Sequence, residues 1–282
     1  MIIGHEDLID NFNKMIETNK LSQSILLVGD RYMGKKFLSK KLAELLKKPF
    51  EILEQSIDAL NDMRQRVYTY STGFCFIIPN LENYNYRAIE SLLKILEEPP
   101  KNIFFIITCN NEYKLKQTIR NRCSIFRLKR YSINELERYS NYKKYELLND
   151  WQYMNIVYSP SLIDYFQNKL NDYDAFVKKF INNIISVSAG NALKSVNFFN
   201  VGQQAEQLLY EFDLFLMFLS AVIIKNSFEF ENIFINVMNT IRDYNSQYKI
   251  NGVDKLSLIK NFVIDYRQVF LRNGFNKFSI DY

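Results

Sequence analysis

The sequence predicts an α/β fold with a mostly parallel sheet, followed by two helical domains. Three observations carry this reading. Up to about Arg130, short apolar runs alternate with segments of helical period. Two of those runs, Phe74 to Ile78 and Ile103 to Thr108, are almost wholly apolar, as parallel strands buried on both faces are. From Ser132 onward nearly every segment has helical spacing. A chain of 282 residues has room for one to three domains, and the expected division is 1–130, 131–200 and 201–282.

The elements follow in order. Glu6 to Asn19 places Leu8, Ile9, Phe12, Met15 and Ile16 at helical intervals. Ser24 to Val28 reads as a strand, and Lys35 to Lys47 as a helix with Phe37, Leu38, Leu42, Leu45 and Leu46 on its apolar face. Phe50 to Leu53 is a short strand candidate and Ile57 to Val67 a helix. After the strand Phe74 to Ile78, a helix over Tyr86 to Glu98 is stopped by Pro99 and Pro100, because proline has no backbone donor. Ile103 to Thr108 is the next strand, Lys114 to Asn121 a short helix, and Ser124 to Leu128 the last strand. Helical segments follow at Ile133 to Tyr139, Ser161 to Leu170, Tyr173 to Val187, Asn191 to Asn200 and Gln203 to Asn226. Ser159-Pro160 and Ser188-Ala189-Gly190 are the clearest breaks among them.

Composition excludes several classes. Hydrophobic residues at 48% and charged residues at 24% are an ordinary soluble balance. The net charge of +5 permits phosphate contacts without demanding them. Cys75, Cys109 and Cys123 are too far apart for a metal knuckle, and the lone His5 cannot complete a zinc site. They read as reduced thiols of a cytoplasmic protein. One histidine also argues against chemistry built on a histidine base. The opening Met-Ile-Ile-Gly-His-Glu does not read as a signal peptide. The most apolar run, Leu214 to Ile224, is about half the ~20 residues of a membrane helix, so a buried core helix is expected there.

Gly29-x-x-x-x-Gly34-Lys35 has the outline of a phosphate-binding loop, set between an apolar strand and a helix. Glycines let backbone N–H groups curl around phosphate oxygens, Lys35 would reach the terminal phosphates, and the helix N-terminus adds positive potential. The next position calls for a Ser or Thr hydroxyl to bind magnesium; here it is Lys36, which repels a cation. The strand Phe74 to Ile78 should end in carboxylates for magnesium and the attacking water, yet Pro79 and Asn80 stand there. Glu82 is expected to lie too far from the strand tip to substitute. The bland reading of Gly29 to Lys35 is a tight strand-to-helix turn with a surface lysine.

Four segments together carry a family resemblance. Ile2-Ile-Gly-His-Glu-Asp-Leu8, the helix Ile57 to Val67, Leu92-Leu-Lys-Ile-Leu-Glu-Glu-Pro-Pro100 and Arg120-Asn-Arg-Cys123 resemble the AAA+ subunits of DNA polymerase III sliding-clamp loaders. The last two are the specific ones: the family's hallmarks are Leu-Leu-Lys-Thr-Leu-Glu-Glu-Pro-Pro and Ser-Arg-Cys. The resemblance covers about the first 130 residues. It implies an AAA+ P-loop domain, a small helical lid and a helical collar that holds subunits in a ring. In this family the opening segment lies against adenine, and the arginine of Ser-Arg-Cys is a finger that reaches a neighbour's ATP site. Those roles would fall on Ile2 to Leu8 and on Arg122. Thr108 would be the sensor, and Gly29, Gly34, Lys35 and Lys36 the phosphate-loop positions.

Departures narrow the type. The zinc module of bacterial relatives has no room in the about 40 residues between Lys36 and Pro79. In Gly190-Asn-Ala-Leu-Lys-Ser-Val196, Leu193 holds the place of the second sensor arginine, with Lys194 beside it. The resemblance is therefore to the delta-prime type. It implies no hydrolysis, no required cofactor and no zinc, with ATP or ADP bound without hydrolysis left open. The implied partners are other clamp-loader subunits and, through the complex, the clamp and primer-template DNA, with no membrane. Two other readings stand beside it. One is an active ATPase with rearranged magnesium ligands. The other is a nucleic-acid-binding accessory protein using Lys143-Lys144 and Lys178-Lys179, pairs that otherwise read as solvated helix faces.

Overall fold

The computed structural model describes residues 3–145, 157–165, 167, 180, 212–217, 219–220, 234–247 and 254–272. Close contacts group the chain into two compact units: Met1–Glu146 with Tyr158–Asp164, and Leu147–Val157 with Tyr165–Tyr282. The boundary expected near residue 200 lies outside the described residues, as do the segments Tyr173 to Val187, apart from residue 180, and Asn191 to Asn200.

The first unit runs α1 (Glu6–Glu17), β1 (Ser24–Val28), α2 (Lys35–Leu45), β2 (Phe50–Ile52), α3 (Ile57–Arg66), β3 (Phe74–Ile78), α4 (Tyr86–Ser91), α5 (Leu93–Glu97), β4 (Ile103–Cys109), α6 (Gln117–Arg120), β5 (Ser124–Arg127) and α7 (Ile133–Lys143). The five strands form one sheet in the order β2-β3-β4-β1-β5, and every pairing is parallel. Parallel neighbours need crossovers, so helices cover both faces and the strands must be apolar on both. Alternation along β1 shows the consequence. Leu26 and Val28 join a core with Leu60, Met63, Leu92, Leu96 and Ile119 from α3 to α6. Ile25 and Leu27 join the opposite core with Phe12, Leu38, Leu42 and Ala43 from α1 and α2. Each such buried side chain contributes roughly 1.5–3 kcal/mol.

Two expected elements differ. The helix over Tyr86 to Glu98 is divided at Leu92 into α4 and α5. Ser91 Oγ donates back to the Ala88 carbonyl at 2.7 Å, and the Leu92 N–H bonds Ile89 O rather than Ala88 O. Such back-bonding from serine bends a helix. The helix expected over Lys114 to Asn121 shrinks to Gln117–Arg120. Upstream, Asn111 Oδ1 accepts the Tyr113 N–H and Glu112 is buried against Arg127, which shapes a short 3₁₀ turn instead. α7 starts with a capping box in which Ser132 and Glu135 satisfy each other's backbone donors.

Apart from Val157 and Asp254, the described residues of the second unit are helical. Val237, Ile241 and Tyr244 of the helix Phe234–Gln247 are buried, as are Leu258, Ile259, Phe262, Val263, Tyr266 and Phe270 of the helix Lys255–Arg272. Phe262 contacts the rings of Phe180, Phe212, Phe215, Tyr244 and Tyr266. Within the apolar run from Leu214, residues Leu214, Phe215, Leu216 and Leu219 are fully buried, as a core helix requires. No helix among the described residues is long and apolar enough to cross a membrane.

Candidate functional site

In a parallel sheet, the crevice at the C-terminal strand ends, where connections leave in opposite directions, is where ligands bind. Here β1 lies between β4 and β5, and the ends of β1, β3 and β4 deliver Gly29, Asn80 and Asn110 to one place. The loop from Gly29 to Gly34 then turns into α2. Gly34 has φ +74°, a left-handed conformation that costs glycine nothing. Gly29 is needed for closeness: a Cβ there would stand 3.0 Å from Leu128 Cβ.

Lys35 turns inward. Its ammonium donates to the carbonyls of Gly29 and Asp30, both at 2.7 Å, and to Asn110 Oδ1 at 2.8 Å. All three N–H donors of the lysine are thereby used. The residue is only 8% exposed. Burial pushes its pKa down to about 8, while the Glu82 carboxylate works in the opposite direction. At neutral pH it is an ammonium, and three acceptors suit that state.

Asn110 and Glu82 are functional neighbours that sequence reasoning missed or set aside. Glu82 Oε1 accepts both the backbone N–H and the side-chain amide N–H of Asn110, each at 2.7 Å. That fixes the amide so that its oxygen faces Lys35. Glu82 Oε2 is buried and makes no hydrogen bond. Glu82, expected to lie away from the strand tip, therefore joins the site by a short turn after β3. The available signal was an asparagine just after the strand, a residue type that tolerates left-handed backbone; Asn80 has φ +46° and begins the turn at residues 81–83. Thr108 is also at the site, but its Oγ1 accepts the Asn80 N–H at 2.9 Å and braces the two strand ends together.

The loop is also held from outside. Leu128 N–H donates to Val28 O at 2.7 Å, continuing the β1–β5 ladder past the loop's start. Arg130 pairs with Asp30 at 3.1 Å and lies over the ring of Tyr158, whose hydroxyl donates to Arg31 O. The Tyr131 ring fills the space beside Gly4, where any Cβ would collide with it, and stacks edge-on with His5 at 4.6 Å. Its hydroxyl reaches to within 3.7 Å of where a Gly34 Cβ would stand.

The residues present do not fit magnesium–ATP. Lys36 is exposed on α2 where a hydroxyl ligand is required. β3 ends at Ile78 and is followed by Pro79 and Asn80, so the acidic positions are filled by groups that cannot ligate as carboxylates do. Among the described residues no cluster of His, Cys, Asp and Glu could hold a metal ion. The thiols of Cys75, Cys109 and Cys123 are pushed up to about 12 by burial and are inert. Leu193 and Lys194 lie outside the described residues.

Arg122 sits apart from that crevice, just after α6. Its Nε and Nη2 donate to Glu97 Oε2 at 3.0 and 2.7 Å, and Nη1 donates to Thr118 O at 2.9 Å. Glu97 is the first glutamate of Glu-Glu-Pro-Pro. The two most specific sequence motifs thus meet in one ion pair at the surface, with Arg122 27% and Glu97 57% exposed.

Sheet order, loop and switch-point crevice define the class: this is a P-loop-type α/β fold. A DNA polymerase III gamma subunit-related protein from Thermotoga maritima shares it, with a TM-score of 0.52 and 16% identity over 92% of this chain and 98% of that one. Residues 47–132 match the model of a family described as DNA polymerase III, delta subunit. The chain is 30% identical over 142 residues to the DNA polymerase III subunit delta' of Buchnera aphidicola subsp. Baizongia pistaciae, across 46% of this chain and 40% of that protein. It is 29% identical over 75 residues to the delta' subunit of Buchnera aphidicola subsp. Schizaphis graminum, across 26% of this chain and 23% of that protein. The chain therefore spans less than half the length of either relative. Within the matched segment lie both hallmark motifs, and the chain resembles a delta-prime-type clamp-loader subunit.

Proposed function

We propose that this chain is a delta-prime-like subunit of a DNA sliding-clamp loader that hydrolyses no ATP itself and lends Arg122 to a neighbouring ATPase subunit. The observation that carries the reading is the contrast between its two cations. Lys35 spends its donors inward, two on its own loop and one on Asn110, whereas Arg122 is held at the surface by a carboxylate and a carbonyl. A guanidinium so oriented stabilises charge on a transferring phosphoryl group with little reorganisation. Its partners are the other subunits of a hetero-oligomeric ring and, through the complex, the clamp and primer-template DNA, in the cytoplasm.

The test compares ATP turnover by the isolated chain with turnover by the assembled complex. The isolated chain is expected to show none above background, and Arg122→Ala should slow the complex. Magnesium-dependent turnover by the isolated chain that disappears in Lys35→Ala would overturn the reading. One observation favours the alternative of an active ATPase with rearranged ligands: Glu82 brings a carboxylate to the crevice. On that alternative, Glu82→Gln would abolish turnover by the isolated chain.

A further inference from the structure

We propose that the turn at Tyr113 and the end of α6 form a docking anchor, in which Arg120 and Tyr113 take an acidic side chain of the neighbouring subunit. The proposal rests on the reading that a neighbour meets Arg122. It names a second contact on the same edge with a separate duty, holding the subunits together. The starting point is a carboxylate already engaged. Glu112 is buried, and Arg127 donates to both its oxygens, from Nε to Oε1 at 2.6 Å and from Nη2 to Oε2 at 2.8 Å. Those bonds, with the Arg120 charge nearby, hold the Glu112 carboxyl below the usual carboxylate range. Arg120 thus lies near an anion whose oxygens already face another guanidinium. It forms no ion pair among the described residues, and its buried Nε has no hydrogen-bond partner.

An aromatic ring holds Arg120 in place. The guanidinium lies over Tyr113, 5.4 Å from the ring centroid, a cation–π contact that orients the planar group. Tyr113 itself is 78% exposed, more than any other large hydrophobic side chain among the described residues. Lys114 beside it is also exposed. Lys114, Arg120 and Arg127 therefore surround one buried carboxylate, and the surplus charge is positive. A guanidinium without an anion, packed on a solvent-facing tyrosine, is the kind of pair that anchors protein interfaces. A carboxylate completes it, because two parallel N–H donors fit its two oxygens. Continuity points to the same neighbour. Arg122 N–H donates to Ile119 O at 3.0 Å, so Arg120 and Arg122 leave one tight turn at the end of α6. Their side chains part there, Arg122 toward Glu97 and Arg120 toward Tyr113. A nucleic-acid groove would instead carry a row of cations along a backbone path. This patch is a cluster around one carboxylate.

Measuring binding and turnover apart separates this contact from the role of Arg122. The chain is titrated by calorimetry into the remaining subunits of the ring, purified without it, and ATP turnover is then measured at saturation. Arg120→Gln and Tyr113→Ala should each weaken assembly at least about tenfold, with the loss appearing in affinity rather than in turnover at saturation. Tyr113→Phe, which keeps the ring, should assemble like the unmodified chain. The affinity of the unmodified chain should fall as salt is raised. That slope should flatten in Arg120→Gln, which a merely structural defect would not do. Tyr113 is exposed, so its replacement tests the anchor even where Arg120→Gln melts at a lower temperature. Assembly as tight in both variants as in the unmodified chain would overturn the proposal. So would a labelled single-stranded oligonucleotide that binds the isolated chain and is lost from both variants while assembly holds, since the patch would then be a nucleic-acid surface. Normal turnover with Arg122→Ala, alongside weakened assembly with Arg120→Gln, would end the reading of Arg122 as a finger and keep the anchor.

Discussion

Lys35 and Arg122 sit at two regions of one α/β unit, and their surroundings are opposites. The phosphate-loop end is turned in on itself: a buried lysine, an amide and a carboxylate satisfy one another. The α6 end is turned out: an arginine is oriented by a single surface glutamate and one carbonyl, with exposed side chains around it. On the reading proposed above, the two edges of one fold carry different duties. The phosphate loop of a P-loop domain is also part of its core, and it persists as structure when catalysis goes. Arg122 has only a surface carboxylate and one carbonyl to hold, and that contact lies outside both cores of the sheet.

The largest expected effect falls on the outward site. In an assembled complex, Arg122→Ala should lower the rate at the neighbouring ATP site by ~10³-fold, the contribution an arginine finger makes. Other sites in the ring keep their own fingers, so total turnover falls less. Arg122→Lys should rescue little, since an ammonium lacks the planar fork. A complex that assembles and turns over normally with Arg122→Ala would erase the contrast and leave the chain an architectural role.

Stability should rank the two cations the other way. Lys35→Ala strips the donor from Gly29 O, Asp30 O and Asn110 Oδ1, and an unsatisfied buried group costs about 1–3 kcal/mol. Arg122→Ala breaks a partly exposed surface pair, worth about 0.2–1 kcal/mol. Urea denaturation of both variants should show the larger loss in Lys35→Ala. Equal midpoints would mean the loop relaxes freely and the relay is not structural.

Much of this contrast was legible in the sequence, and the missing part has a physical reason. β1 and β3 fall where continuous apolar runs placed them, because burial on both faces leaves a short apolar run that its length and flanking breaks mark as a strand. The residue types at Lys36, Pro79 and Asn80 were readable because Lys36 stands at a fixed offset of the phosphate-loop pattern and the other two directly follow the apolar run of β3. Arg122 was singled out by motif, but its partner was not, since Glu97 lies 25 residues away and only folding brings them together. Asn110 was missed and Glu82 set aside for the same reason: their contact joins the ends of two strands, which no local spacing encodes. The break at Leu92 was missed because serine's bond to its own helix competes with a helical pattern without disturbing it.

A smaller effect should follow from Glu97. Glu97→Gln keeps the shape and removes the charge that orients Arg122. Turnover by the complex should drop about two- to five-fold, the rate equivalent of a surface pair worth up to ~1 kcal/mol. The fold should be unaffected, so circular dichroism and assembly serve as controls. A loss as large as that of Arg122→Ala would show that the glutamate does more than orient the arginine.

The finest test concerns the proton on Lys35. Its pKa is lowered from the ordinary 10.5 to about 8, with burial the main cause. Below about pH 8 both the folded and unfolded chains carry the proton there, and the folded chain bears the full cost of burying the charge. Between about 8 and 10.5 the folded chain has released it while the unfolded chain still holds it. Where the unfolded state binds more protons, stability rises with pH. The stability of the unmodified chain, measured against Lys35→Met so that other titrations cancel, should therefore shift in favour of the unmodified chain as pH is raised from 8 to 10. A difference that stays flat across that window would show that the three acceptors and Glu82 compensate the burial in full. The inward site would then be held by an ammonium as comfortable as one in water, and the contrast with Arg122 would rest on geometry alone.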